Sequence, residues 1–124
     1  SDQTSSHYRW AYNQATRTSS SGADGENSAW NADHIRLTNG SSNATAHPTA
    51  IDFTIFSPTS STRQSAGLLN SAFFKPASTN AWTAWNGSMW FDSTTGLDID
   101  GVKIYPSTGT LVNALYSIYA LKDS

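Results

Sequence analysis

The sequence predicts an all-β fold, an antiparallel β-sandwich or jelly roll of about seven to nine short strands. Three observations predict it. Val, Ile, Thr and aromatic residues dominate the patterned segments, and these side chains suit a pleated, half-buried surface. No stretch longer than about ten residues repeats with the 3.6-residue period of a packed helix. Polar clusters rich in Ser, Asn and Gly separate the apolar runs at short intervals, as turns do in sandwiches.

At 124 residues the chain fits one domain, large enough to bury about two-thirds of the surface its unfolded form exposes. Ser1 to Ser6 reads as a linker, followed by a single β-sandwich domain over residues 7–124. With Met89 the one methionine, the chain has either lost its initiator before Ser1 or is a piece of a longer protein, and the linker-like Ser1 to Ser6 favours the piece. Absence of cysteine excludes a disulfide scaffold and a thiolate zinc site. Only 13% of residues are charged, against about 25% in an average soluble domain, so Ser, Thr and Asn must make the polar surface. A net charge of −2 with seven scattered Lys and Arg residues gives no footprint for nucleic acid. No run approaches the roughly 18 apolar residues of a membrane span, so membrane insertion is not expected.

In chain order, His7 to Tyr12 alternates, with Tyr8, Trp10 and Tyr12 on one side and His7, Arg9 and Ala11 on the other, as a half-buried strand should. Asn13 to Asp33 has no period and reads as a long polar loop, functional or hiding a short strand. Ile35 to Thr38 reads as a short strand before a turn at Asn39-Gly40. Ile51, Phe53 and Ile55 alternate with Asp52 and Thr54 and should be core, with Pro58 closing the strand. Gly67 to Phe74 is apolar enough for another strand of ambiguous facing, after a polar turn at Ser57 to Gln64 and before Pro76. In Ala81 to Phe91, Asn86-Gly87 between two aromatic runs is a strong hairpin signal. Leu97 and Ile99 switch parity to Val102 and Ile104 across Asp100-Gly101, which suits a bulge or tight turn. Ala114 to Leu121 is apolar on both faces, and such a strand is expected to lie centrally, buried on both sides.

Chemistry-bearing patterns are sparse. Glu26 is the sole glutamate, and there is no nucleophile elbow, zinc-binding helix motif or phosphate loop, so no catalytic residue is assigned and the chain is read as a non-enzyme. Asp98-Ile99-Asp100-Gly101 and Asp24-Gly25-Glu26 have carboxylates close together, but without the spacing of a calcium loop. Local turn bonding is the simpler role. His7, His34 and His47 are isolated in sequence. Symmetry copies of His7 in an oligomer could meet at a metal, but a solvated or hydrogen-bonded histidine is the simpler reading, so no metal or cofactor is expected.

The five tryptophans carry more information. Trp10 belongs to the first strand pattern; Trp30, Trp82, Trp85 and Trp90 are the candidate ligand-binding residues, because an aromatic plane flanked by Asn, Asp and Ser suits the apolar face of a sugar ring. Trp82 and Trp85 have opposite parity, so at least one of them faces away from the core unless a second layer covers it. Alternatively these rings fill the core or a subunit interface.

The opening Tyr8-Arg9-Trp10, the alternating Ile51 to Phe56, the run Ile99-x-Gly101-Val102-x-Ile104-Tyr105, and the ending Ser107-x-Gly109 with Ser117-Ile118-Tyr119-x-Leu121-Lys122 together resemble the C-terminal tip domains of bacteriophage tail-fibre and related virion fibre proteins. Glycine is usual in that group where this chain has Asn113 and Ala120. Asparagine also enters the left-handed region, whereas alanine is the greater departure. The resemblance implies a compact β domain at the distal end of a fibre on the virion, commonly a homotrimer, contacting a host-cell surface glycan or protein. It transfers no catalytic or binding residues. Two other roles fit the same sequence: a structural capsid decoration or fibre-attachment domain, and a monomeric carbohydrate-binding module or lectin.

Overall fold

The computed structural model of the chain describes residues 7–42, 44, 46–56, 65–75, 81–91, 101–111 and 113–119. Five strands form one antiparallel sheet: β1 (Tyr8–Arg17), β2 (Gly22–Ala32), β3 (Ala50–Phe56), β4 (Ser65–Phe74) and β5 (Trp82–Phe91). Their order across the sheet is β2-β1-β5-β4-β3. The all-β, antiparallel expectation holds, with one five-stranded sheet among the described residues where the sequence predicts a sandwich of seven to nine strands.

The core follows from alternation. Trp10 and Tyr12 of β1, Leu69 and Phe73 of β4, and Trp85 and Met89 of β5 all point to one face and are buried. Ala29, Ala32, Ile35, Leu37, Phe53 and Phe91 pack against this cluster. The aromatics interlock: the Trp85 ring lies 5.3 Å from Tyr12 and meets Phe73 edge-on at 5.5 Å. A polar chain threads the same face, from the Trp85 indole N–H, which donates to Gln14 Oε1 (2.8 Å), through Gln14 Nε2 to Thr16 Oγ1, and on to Thr83 Oγ1 (3.0 Å). Such a network fixes register, because sliding β1 against β5 by one residue would break both links that cross between them, Trp85 to Gln14 and Thr16 to Thr83.

Several sequence expectations are corrected. Asn86-Gly87 makes no hairpin: it lies mid-strand in β5, opposite Asn13 and Tyr12 on one side and Asn70 and Leu69 on the other. Gly87 serves close approach instead, since a Cβ there would sit 2.1 Å from the Ala11 carbonyl oxygen. The supposed loop from Asn13 onward is the second half of β1 and all of β2, joined by a tight turn in which Thr18 N donates to the Ser21 carbonyl. Ile35 to Thr38 forms no strand, although Ile35 and Leu37 do pack on the core. Of the expected core trio, Phe53 packs there, Ile55 is half-buried and Ile51 is exposed, because β3 is an edge strand. The largest departure is the C-terminal segment. Residues 114–119 form no strand and lie open, with Leu115 fully exposed and Tyr116, Ile118 and Tyr119 more than four-fifths exposed. Val102 and Ile104 are likewise exposed and outside any strand. Asn113 does take the left-handed conformation, at φ 56°. The expected linker at 1–6, the turn at 57–64, Pro76, Leu97 to Asp100 and the positions Ala120 and Leu121 lie outside the described residues.

Burial pushes the Tyr12 phenol well above the ordinary tyrosine range, and its hydroxyl has no hydrogen-bond partner among the described residues. The unfolded chain releases that proton near pH 10 and the folded chain only at higher pH. The stabilisation is therefore complete below pH 10 and lost as pH rises beyond it. Tyr12→Phe should match or exceed the parent's stability at pH 7 by up to about 1 kcal/mol, since it removes an unpaired buried hydroxyl. At pH 11 its advantage should widen by about 1.4 kcal/mol, as read from urea unfolding at the two pH values.

Candidate functional site

The second face of the sheet is open, and strand register sorts its side chains into rows. One row crosses all five strands: Glu26 opposite Asn13, Asn13 opposite Asn86, Asn86 opposite Asn70, and Asn70 opposite Asp52. All five residues are exposed. None of the three amides forms a side-chain hydrogen bond within the described structure, so their donors and acceptors are available to a ligand.

Methyl groups line the next row. Ala15, Ala84, Ala72 and Ala50 stand side by side across β1, β5, β4 and β3. Beyond them, Trp82 stands between Arg17 and Phe74. On the other side of the amides come Ala11, Ser88 and Leu68, and then Trp90 between Arg9 and Ala66. The face thus has a polar centre and an aromatic residue toward each end of β5. With about 3.4 Å per residue, Trp82 and Trp90 stand roughly 27 Å apart, and Trp82 lies roughly 14 Å from Asn86.

Two adjoining depressions occupy the Trp82 half. The larger, about 350 Å³, runs over the alanines to Asp52, Asn70 and Asn86. The smaller, about 210 Å³, is bounded by Pro48, Phe74 and Trp82. They share Ala50 and Ala72, so they form one groove. The loop that brings Pro48 beside Phe74 is anchored there: the His47 ring stacks on Phe74 at 4.9 Å, its Nδ1 is 2.8 Å from Ser42 Oγ, and Ser42 N donates to the Phe74 carbonyl.

The four candidate tryptophans divide. Trp82 (48% exposed), Trp90 (37%) and Trp30 (70%) face outward, whereas Trp85 (1%) belongs to the core. The opposite parity of Trp82 and Trp85 is thus realised on one continuous strand. Trp30 is displayed by a β-bulge, where the register shifts between Tyr8 and Trp10 and Asn31 takes φ 58°. The Arg9 guanidinium lies over its ring, 3.8 Å from the centroid. Asp24 is an ion-pair partner, 2.7 Å from Arg17 Nη1, and Asp98 and Asp100 lie outside the described residues. His34 contacts Asp33 and tilts against Trp10, so the described histidines stay apart. Among the described residues no three His, Asp or Glu side chains converge.

Sequence reasoning missed the amide row, whose members come from five strands. Parity marked only Asp52, because Asn70 shares its side of β4 with Ala66, Leu68, Ala72 and Phe74, and Asn86 shares its side of β5 with Trp82, Ala84 and Trp90. No protein-family model matches the chain, and comparisons with curated proteins and with solved structures find no significant similarity.

Proposed function

We propose that the chain is a non-enzymatic virion fibre-tip domain of a bacteriophage, binding a glycan or protein on the host-cell surface through the open face of its sheet. One observation carries this reading: three outward tryptophans and an unbonded amide row share a face that the described fold leaves open. Exposed aromatic groups beside free hydrogen-bonding groups are the usual makings of a recognition surface.

Self-association, as a homotrimer, belongs to the same proposal. Leu115, Tyr116, Ile118 and Tyr119 form an uncovered apolar segment, and contiguous exposed apolar surface of this kind favours contact with another chain. Three copies on one tip would bind by avidity, which suits an open face better than a deep pocket. A second layer over the core face, completing a sandwich or jelly roll, is part of the reading too. It is favoured by Trp10 Nε1, Tyr12 OH and Ser71 Oγ, buried atoms without partners among the described residues.

Light scattering should give three times the 13.4 kDa chain mass, and the trimer should adhere to susceptible bacteria. Replacing Trp30, Trp82 and Trp90 together by alanine should abolish adhesion while circular dichroism stays unchanged. Undiminished adhesion by that variant would rule out the open face, and adhesion to no susceptible cell would favour a structural decoration or attachment domain. Glycan retention by a 13.4 kDa monomer would favour the free lectin.

A further inference from the structure

We propose that the groove between Trp82 and the Asp52–Asn70–Asn86 segment of the amide row is a saccharide site, selective for neutral oligosaccharides over acidic ones and requiring more than one sugar unit. This rests on the recognition reading above and names its ligand class and place on the face.

The chemistry of the lining points to a sugar. Each amide presents a donor and an acceptor side by side, the pattern that adjacent ring hydroxyls complement. Asp52 adds a carboxylate that accepts strong hydrogen bonds from hydroxyl groups. Asn70 and Asn86 are neighbours in register, and Asp52 is the neighbour of Asn70, so the three side chains span two strand spacings, roughly 10 Å. At the far end Trp82 and Phe74 bound an apolar hollow with Pro48, suited to the C–H face of a pyranose. Between these ends Ala50, Ala72 and Ala84 make a floor of methyl groups. A longer side chain at any of them would fill the groove.

Charge sets the selectivity. No lysine, arginine or histidine lines either depression among the described residues, and the one charged group is Asp52. The nearest cation in register, Arg17 beside Trp82, is already bonded to Asp24 and to the carbonyl oxygen of Thr16. A carboxylated or sulfated sugar would therefore meet a carboxylate with no compensating cation, whereas a neutral sugar meets only complementary groups.

Length follows from spacing. Trp82 and Asn86 are four residues apart on β5, roughly 14 Å, a distance that no single pyranose bridges. One unit stacks at Trp82 while another bonds to the amides, and a monosaccharide gains only half of the contacts. The groove is open, so affinity per site is low, about millimolar, and useful attachment comes from several copies acting together.

The test is a titration of the isotope-labelled full chain, with NMR following the indole N–H signals and the side-chain amides of Asn70 and Asn86. The probes are neutral tetrasaccharides of glucose, mannose, galactose and N-acetylglucosamine, their monosaccharides, and tetragalacturonate. At least one neutral tetrasaccharide should shift the Trp82 indole and both amides, with its monosaccharide and tetragalacturonate at least tenfold weaker. Trp82→Ala and Asn86→Ala should each weaken binding tenfold or more, and Val102→Ala, at an exposed position outside the sheet, should leave it within twofold. Response to tetragalacturonate alone, shifts confined to Trp30 and Trp90, equal binding of monosaccharides, or no response to any neutral probe would each overturn the site. If the chain adheres to bacteria while no neutral probe binds, this inference fails and the fibre-tip reading stands. Neutral tetrasaccharide binding without adhesion to any susceptible cell gives the reverse.

Discussion

Gly87→Ala should destabilise the domain by about 3 kcal/mol or more and lower its melting temperature by about 10 °C. The added Cβ would lie 2.1 Å from the Ala11 carbonyl oxygen and 2.8 Å from Tyr12 Cα. Both are backbone atoms of β1, so no side-chain rotation relieves the clash. Relief requires β1 and β5 to move apart, which stretches the ladder between two interior strands of the sheet. The φ of Gly87 is not positive, and the penalty is therefore steric rather than conformational. Gly25 on edge strand β2 is the matched control, because a Cβ there meets nothing within 4 Å. Gly25→Ala should raise stability by about 0.5 kcal/mol. Urea unfolding of the two variants checks both; equal stabilities would mean that β1 and β5 are not closely paired at Gly87.

That same glycine shows what the sequence makes legible. Asn-Gly between aromatic runs satisfies every local criterion of a hairpin, yet a central strand needing close backbone approach selects glycine equally well, and only the partner strands distinguish the two. Tyr8, Trp10 and Tyr12 were legible because one face of β1 is buried and the other open, which writes an alternation into the sequence. β2, reading GADGENSAWNA, is almost wholly exposed at the sheet edge and so carries no apolar period. The C-terminal segment has the apolar density of a core strand, but nothing in the described fold covers it. Among the candidate tryptophans, parity separated Trp82 from Trp85 correctly. Which of the two faces the core depended on Tyr12 and Phe73, which lie on other strands. The amide row was illegible for the same reason, since it exists only once five strands are in register.

Trp85→Ala should bring the domain close to unfolding at 25 °C, whereas Trp82→Ala, three residues away on the same strand, should cost less than about 1 kcal/mol. Trp85 is 1% exposed and Trp82 48%. Truncating a buried tryptophan costs about 3–5 kcal/mol through lost packing and the cavity left behind. Here a second loss adds to it, because the Trp85 indole N–H is the donor to Gln14 Oε1. Gln14 is only partly buried, so its orphaned acceptor costs about 1 kcal/mol more, and the sum reaches the lower end of the stability of a typical domain, about 5–15 kcal/mol. Trp85→Phe separates the two losses. It keeps most of the packing against Tyr12 and Phe73 but removes the donor, and Gln14→Leu removes the acceptor from the other side. The double variant should be more stable than the sum of the single effects predicts, by about 1 kcal/mol. Additive effects would show that the Trp85–Gln14 bond does not hold β1 to β5. A large destabilisation by Trp82→Ala would place that ring in the core, and with it remove the aromatic end of the proposed groove.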